Sequence, residues 1–329
     1  MWKYIGTKEC NEFLLSLNLF KCNYKEKYIK TLYSISNNIW KNYKVYKIKK
    51  RNGKSRTIYE PNSLLKHIQK KILINILNNK SISKYAKGYH KGISLKDNAF
   101  PHINKDIILK LDIKDFFENI KFMDIYNSCF GLEYFPKSVG MLLTYLCTYD
   151  DHLTQGSPTS AYISNLVMKN YDEEIGSWCE DNNISYTRYS DDMTFSGIFN
   201  PSEIIRKVRK MLYKLSLKLN NDKICVVKKS SNQSVTGITV NTKMQVNIKY
   251  RKKIRQEVYF IQKYGIKSHL EKCNINCSEE KYLNKLYGKI LYVLQINEDD
   301  LEFRKYKEII SKLKKDNLCY LNLDCLLFE

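Results

Sequence analysis

The stretch Ser185–Ser196, Ser-Tyr-Thr-Arg-Tyr-Ser-Asp-Asp-Met-Thr-Phe-Ser, constrains the fold of this chain more than any other. Two short β-runs, Ser185–Tyr189 and Met193–Ser196, meet at an acidic tip. β-Branched and aromatic residues favour the strands, and Ser-Asp-Asp favours a tight turn between them. Two adjacent carboxylates at a hairpin tip repel each other. A divalent cation removes that cost and takes the oxygens as hard ligands. An Asp-Asp pair standing alone also reads as a solvated acidic turn, so the rest of the chain has to decide.

The chain has 329 residues, enough for a large core and two or three domains. It carries 56 Lys and Arg against 34 Asp and Glu, a formal charge of +22. That excess points to an anionic polymer as partner, with nucleic acid first. The 26 tyrosines and 13 phenylalanines lie among the lysines, which suits base stacking as well as phosphate contact. Drift toward Lys, Asn, Ile and Tyr in an AT-rich genome accounts for part of the same excess, and composition does not separate the two. The ten cysteines include no Cys-x-x-Cys pair, and Cys273 and Cys277 have no His pair beside them. Reduced structural thiols in a cytosol are expected rather than a zinc site. The start, Met1-Trp2-Lys3-Tyr4, lacks the apolar core of a signal peptide, and no run of 18 apolar residues occurs. The expectation is a cytoplasmic protein with no membrane partner.

Along the chain, residues 1–50 are expected to be partly helical, with Leu14, Leu15, Leu17 and Leu19 as a weak apolar face. Asn52-Gly53 signals a hairpin between Lys44–Lys50 and Ser55–Tyr59. After Pro61, Asn62 or Ser63 caps a helix with Leu64/Leu65, Ile68, Ile72 and Ile76 on one stripe. Residues 81–105 read as loops around a short helix. Ile107–Ile113 is an apolar strand with Asp112 near its end, where a carboxylate is costly unless paired or on a metal. Residues 121–150 read as helical. Ser157 is the expected cap, and Pro158 the first residue, of a further helix. Asn200-Pro201-Ser202-Glu203 opens another helix. β-Runs follow at Lys223–Val227, Val235–Val240 and Met244–Ile248, then basic helices from about residue 249.

Strand with Asp112, then a helix, then the Asp191-Asp192 hairpin is an order with chemical meaning. Antiparallel neighbours in one sheet bring a strand end and a hairpin tip together. Three carboxylates then hold two Mg²⁺ ions, one activating a primer hydroxyl and one on a triphosphate. Successive strand residues point to opposite faces, so Asp192 is expected to be the weaker ligand.

At this point the chain resembles the reverse transcriptases, and among them the bacterial retron reverse transcriptases, over about residues 51–300. Leu111-Asp112-Ile113-Lys114-Asp115-Phe116-Phe117 is similar to polymerase motif A. Gln155-Gly156-Ser157-Pro158-Thr159-Ser160 is similar to motif B, and Tyr189-Ser190-Asp191-Asp192 to motif C. Leu219–Lys223 resembles motif D, and Arg56–Pro61 with Leu65–Gln69 the first block of the fingers. Asn98-Ala99-Phe100-Pro101-His102 and Val235-Thr236-Gly237 fit two signatures of the retron group. The chain departs from the family at Ser190, where Ala is commoner, and at Ala161, where Pro is frequent.

The resemblance implies an α+β right-hand polymerase. Its parts would be an N-terminal arm and fingers (1–105), a palm with an antiparallel sheet and the Asp-Asp hairpin (106–248, with 121–150 returning to the fingers) and a helical basic thumb (249–329). It implies Asp112, Asp191 and Asp192 as catalytic metal ligands, with Ile113 contributing its backbone. Phe117 would exclude a ribose 2′-OH, and Arg56, Gln155, Gly156 and Lys223 would contact the incoming nucleotide. Tyr189 and Ser190 would lie at the primer terminus. Asn98, His102, Val235, Thr236 and Gly237 would read RNA. The implied partners are dNTPs, a cognate structured noncoding RNA, its branched RNA–DNA product and an effector protein of an anti-phage system. Rivals are a group II intron or diversity-generating reverse transcriptase, and a non-catalytic RNA-binding protein on the same fold.

Overall fold

The computed structural model describes residues 6–49, 53 and 55–326, with side chains to residue 315. Asn52 and Lys50, on which part of the first hairpin expectation rests, lie outside the described residues. The chain packs as two units. One comprises the described residues up to Ser94 together with Asp106–Val227; the other comprises Leu95–Lys105 and the chain from Lys228 onward. This division by packing falls at other places than the fingers, palm and thumb boundaries expected from the sequence, which stay a proposal.

In the first unit, β1 (Tyr43–Lys49) and β2 (Ser55–Pro61) form an antiparallel ribbon with Tyr43 opposite Pro61. Asn62 caps the following helix, Ser63–Asn75, by accepting the Leu65 N–H at 2.9 Å. The central sheet has the order β4-β5-β3-β6, from β3 (Ile107–Asp112), β4 (Ser185–Tyr189), β5 (Asp192–Gly197) and β6 (Cys225–Lys228). β5 sits between β3 and β4, antiparallel to both. Its Met193 and Phe195 are fully buried, as are Leu109 of β3 and the helix residues Ile163 and Ile175. Burial of this kind contributes about 1.5–3 kcal/mol per large apolar side chain.

One cap expectation is corrected. The helix after motif B begins at Ser160, not Pro158. The Ser157 hydroxyl is instead engaged with Tyr43 Oη at 2.8 Å and Thr154 Oγ1 at 2.6 Å, three residues before the helix begins. At the other helix start the expectation holds. Asn200 Oδ1 accepts the Ser202 N–H at 3.1 Å and Pro201 opens the helix Pro201–Tyr213.

In the second unit, β7 (Ser234–Val235), β8 (Ile238–Thr239) and β9 (Gln245–Val246) form an antiparallel meander. The sequence run Val235–Val240 is therefore a hairpin rather than one strand. Val235 pairs with Ile238, and the two loop residues, Thr236 and Gly237, have φ of 45° and 85°. Positive φ at both loop positions is the type I′ arrangement that matches strand twist. Helices Ile248–Tyr264, Ile266–Lys272, Glu279–Ile296 and Leu301–Leu326 follow. No helix among the described residues is long and apolar enough to cross a membrane.

Candidate active site

The acidic tip forms as the sequence pattern demands. Tyr189 pairs with Asp192, leaving Ser190 and Asp191 as a two-residue turn, and Ser190 takes φ of 61°. Asp112, the last residue of β3, is the direct partner of Asp192 on β5. The Ile113 N–H donates to the Asp191 carbonyl at 3.0 Å, locking the strand end to the turn. Residues 112, 191 and 192 thus meet although 79 positions separate 112 from 191. Asp112 is 4% exposed. Its backbone carbonyl accepts from Asn220 N at 2.8 Å, its Oδ1 from Asn220 Nδ2 at 3.2 Å and its Oδ2 from Lys223 Nζ at 2.5 Å.

The electrostatics show a site with surplus negative charge. Burial first, and then the Asp112 charge among others, raise the Asp191 carboxyl above its ordinary range. Asp192 keeps solvent contact as a residue. Even so, the protein packed round its carboxyl, followed by the Asp191 and Asp112 charges, pushes it up to about 6. Burial works against the charge on Lys223, but its bond to Asp112 and the three carboxylates outweigh that and raise it. Among the described residues no three acidic, His or Cys side chains are already arranged round a cation position. The donor set nonetheless fits a hard divalent ion, because crowded carboxylates with raised pKa values are what such an ion would relieve. Lys223 supplies part of that compensation on Asp112.

Behind the tip lies a polar brace that sequence reasoning missed. Arg188 of β4 is fully buried. Its Nε and Nη2 donate to both Asp172 oxygens, at 2.9 and 2.6 Å for the shortest contacts. Its Nη1 donates to the Ser190 carbonyl at 2.9 Å, and Nη2 also reaches Asn165 Oδ1 at 3.2 Å. Asn165 in turn donates to the Gly88 carbonyl at 2.8 Å. Gly88 backs directly on the tip: a Cβ there would stand 3.0 Å from the Ser190 nitrogen. A buried arginine bonded on every side fixes the backbone of the turn that carries Asp191. Tyr189 is half-buried with its ring 6.1 Å from that of Tyr89, while Ser190 is 5% exposed.

The residues expected at the nucleotide are partly brought together. Phe117 follows β3, half-buried, with its ring 5.5 Å from Phe116. Its neighbour Glu118 accepts from Gln155 Nε2 at 3.3 Å. The Gln155 carbonyl accepts the Tyr59 N–H of β2 at 2.9 Å. Gly156 has φ of 130°, and a Cβ there would meet the Tyr59 carbonyl at 2.4 Å. Only glycine allows that approach. Arg56 lies on the same strand as Tyr59, opposite Ile48, and is exposed.

The five residues expected to read RNA belong to the second unit. Asn98 and His102 are 1% and 0% exposed, and Val235 is 1%. Asn98 Nδ2 donates to Thr236 Oγ1 at 3.3 Å, so the two short signatures meet across 138 positions. Asn104 N donates to the Val240 carbonyl at 2.9 Å and Gln233 Nε2 to the Lys105 carbonyl at 3.0 Å. Thr236 is half-buried and Gly237 exposed. Asn98 and Val235 hold the turn; Thr236 and Gly237 present it.

Known proteins resemble this chain. A family model described as Reverse transcriptase (RNA-dependent DNA polymerase) matches residues 48–324. The chain is 31% identical over 296 residues to the Retron Ec83 reverse transcriptase of Escherichia coli, covering 83% of this chain and 90% of that one. It is 29% identical over 280 residues to the Retron Ec86 reverse transcriptase of Escherichia coli, covering 83% and 82%. Among solved structures, a telomerase from Candida albicans in complex with a fragment of telomeric RNA aligns at a TM-score of 0.45. The identity there is 11%, with 87% of this chain and 70% of that one covered.

Proposed function

This chain belongs to the reverse transcriptase family, as an RNA-directed DNA polymerase of retron type, and from that premise we propose that it copies part of a cognate structured noncoding RNA. Synthesis starts from the 2′-OH of a specific guanosine in that RNA. The product is a branched, covalently joined RNA–DNA hybrid. An effector protein acts with it in anti-phage defence, in the cytoplasm of a bacterium. The observation that carries the polymerising part is the pairing of Asp112 with Asp192 beside the Asp191 tip.

Family members use divalent metal ions, and Mg²⁺ is the ion proposed here. Asp112, Asp191 and Asp192 would hold it, with the Ile113 backbone beside them. When bound, the ions supply activation of a primer hydroxyl and compensation of triphosphate charge. Lys223, now on Asp112 Oδ2, lies within reach of the same carboxylates and would serve the leaving pyrophosphate as a proton donor. Phe117 would restrict the space beside a ribose 2′ position. Gln155, steadied by Glu118, and the side-chain-free face of Gly156 would receive the base pair. Arg56 would grip the triphosphate with its fork of donors. Ser190 is small enough to leave room for a primer end, and Tyr189 flanks it. The buried Asn98, His102 and Val235 would hold the Thr236–Gly237 turn in the shape that meets RNA.

The test is incorporation of dNTPs with Mg²⁺, first on a generic RNA template with a DNA primer, then on the nucleic acid that co-purifies with the protein. Sequencing that nucleic acid should show DNA joined to RNA at a guanosine 2′ position. Linear DNA alone would reject the branching step while leaving polymerisation intact.

A further inference from the structure

The helices of the second unit contain a proton chain that polymerisation does not use. His269, midway along Ile266–Lys272, is 6% exposed and uses both ring nitrogens. Its Nε2 lies 3.0 Å from Tyr282 Oη. Its Nδ1 lies 3.8 Å from Cys273 Sγ. Lys289 holds the nearby Glu257 carboxylate at 2.8 and 2.9 Å. A phenol hydroxyl accepts as well as donates, so Tyr282 Oη is placed to take the Nε2–H. In that tautomer Nδ1 is the lone-pair nitrogen, and it faces the thiol. Nucleophile, base and a group that orients the base is the arrangement that activates a cysteine.

Cys273 and Cys225 are the exposed cysteines among the described residues. Cys273 opens on a cavity of about 580 Å³ that Cys277 also lines. Lys253, Lys281 and Lys285 lie round the same cavity and give it positive charge. Thiolates in such surroundings react preferentially, and anionic reagents are drawn to them.

We propose that Cys273 is a thiol-modification site that takes low-molecular-weight anionic disulfides of the glutathione class. The thiol proton passes to His269 Nδ1. The thiolate attacks one sulfur of the reagent, forming a new S–S bond as the reagent's own S–S bond breaks. The released half leaves as a thiolate and collects the proton. Cys273 is oxidised to a mixed disulfide and the reagent is reduced to the same extent, so no further oxidant enters.

The experiment exposes the reduced full-length protein to oxidised glutathione and follows each cysteine by peptide mass spectrometry. Cys273 should be modified about tenfold or more faster than Cys225 in the same molecules. His269→Gln should bring Cys273 down to the Cys225 rate, with Cys225 itself unchanged. Equal rates in the native protein, or an undiminished rate in the variant, overturn the proposal. Where circular dichroism shows that His269→Gln does not fold, Tyr282→Phe keeps the ring and removes the hydroxyl. It should abolish most of the advantage, and no loss overturns the assignment. Lys281→Glu with Lys285→Glu should slow glutathione disulfide at Cys273 but leave neutral iodoacetamide unaffected; equal slowing of both would remove the anionic class from the proposal.

Discussion

Arg188 and Asp172 face each other with no solvent on either side chain, Nη2 standing 2.6 Å from Oδ2. The pair sits directly behind the turn that carries Asp191. Removing one partner strands the other charge in the interior. Arg188→Met should therefore cost about 3–5 kcal/mol of stability, read as a lower unfolding midpoint in urea. Arg188→Lys should recover only part of it, since an ammonium cannot reach Asp172, Asn165 and the Ser190 carbonyl together. A midpoint unchanged within 0.5 kcal/mol would mean the pair does not brace the tip.

Asp191→Ala combined with Asp192→Ala should abolish dNTP incorporation, by on the order of a thousandfold or more, while RNA binding in a gel-shift assay stays near normal. Retained synthesis would refute the metal assignment. The same substitution has a second readout. Mg²⁺ should raise the melting temperature of the unaltered protein by relieving carboxylate repulsion, and should not raise that of the double variant.

Phe117→Ala should admit rNTPs, changing the dNTP-to-rNTP ratio by about tenfold or more. Steady-state incorporation of each triphosphate on one template measures it. An unchanged ratio would show that the ring only packs against Phe116.

His102 gives a pH signature. Burial, helped by the Lys105 charge, lowers it from an ordinary 6.5 to about 3. The folded form is thus the weaker proton binder. Its contribution is fully present above pH 6.5 and is lost progressively as pH falls toward 3. Between pH 7 and 4.5 the loss should be on the order of 2 kcal/mol. His102→Gln should flatten this part of the melting-temperature profile. A profile identical to that of the unaltered protein would place the acid sensitivity elsewhere.

What the sequence made legible was local. Ile107–Asp112 is mostly apolar, with Ile108, Leu109 and Leu111 buried, and the hairpin tip announces itself by its turn residues. The Asn62 and Asn200 caps follow from one side chain and its next few neighbours. What stayed hidden depends on partners far along the chain. No spacing rule joins Asp172 to Arg188, or Asp112 to Lys223. Ser157 looked like a cap because its competitors, Tyr43 and Thr154, become visible only in three dimensions. Val235–Val240 read as one strand because threonine is a good strand former, and only the positive φ of Thr236 reveals the reversal. His269 escaped notice beside Cys273 because a single histidine four residues from a cysteine carries no motif.

The bond from Asn98 to Thr236 has a consequence for how the protein is made. During vectorial synthesis the segment 95–105 leaves the ribosome long before the β7–β8 hairpin exists. It must wait, unsatisfied, until residue 240 has emerged. A fragment ending at Val227 would leave that segment permanently without its mate, so bisecting the gene there should yield two pieces that each need the other to finish folding.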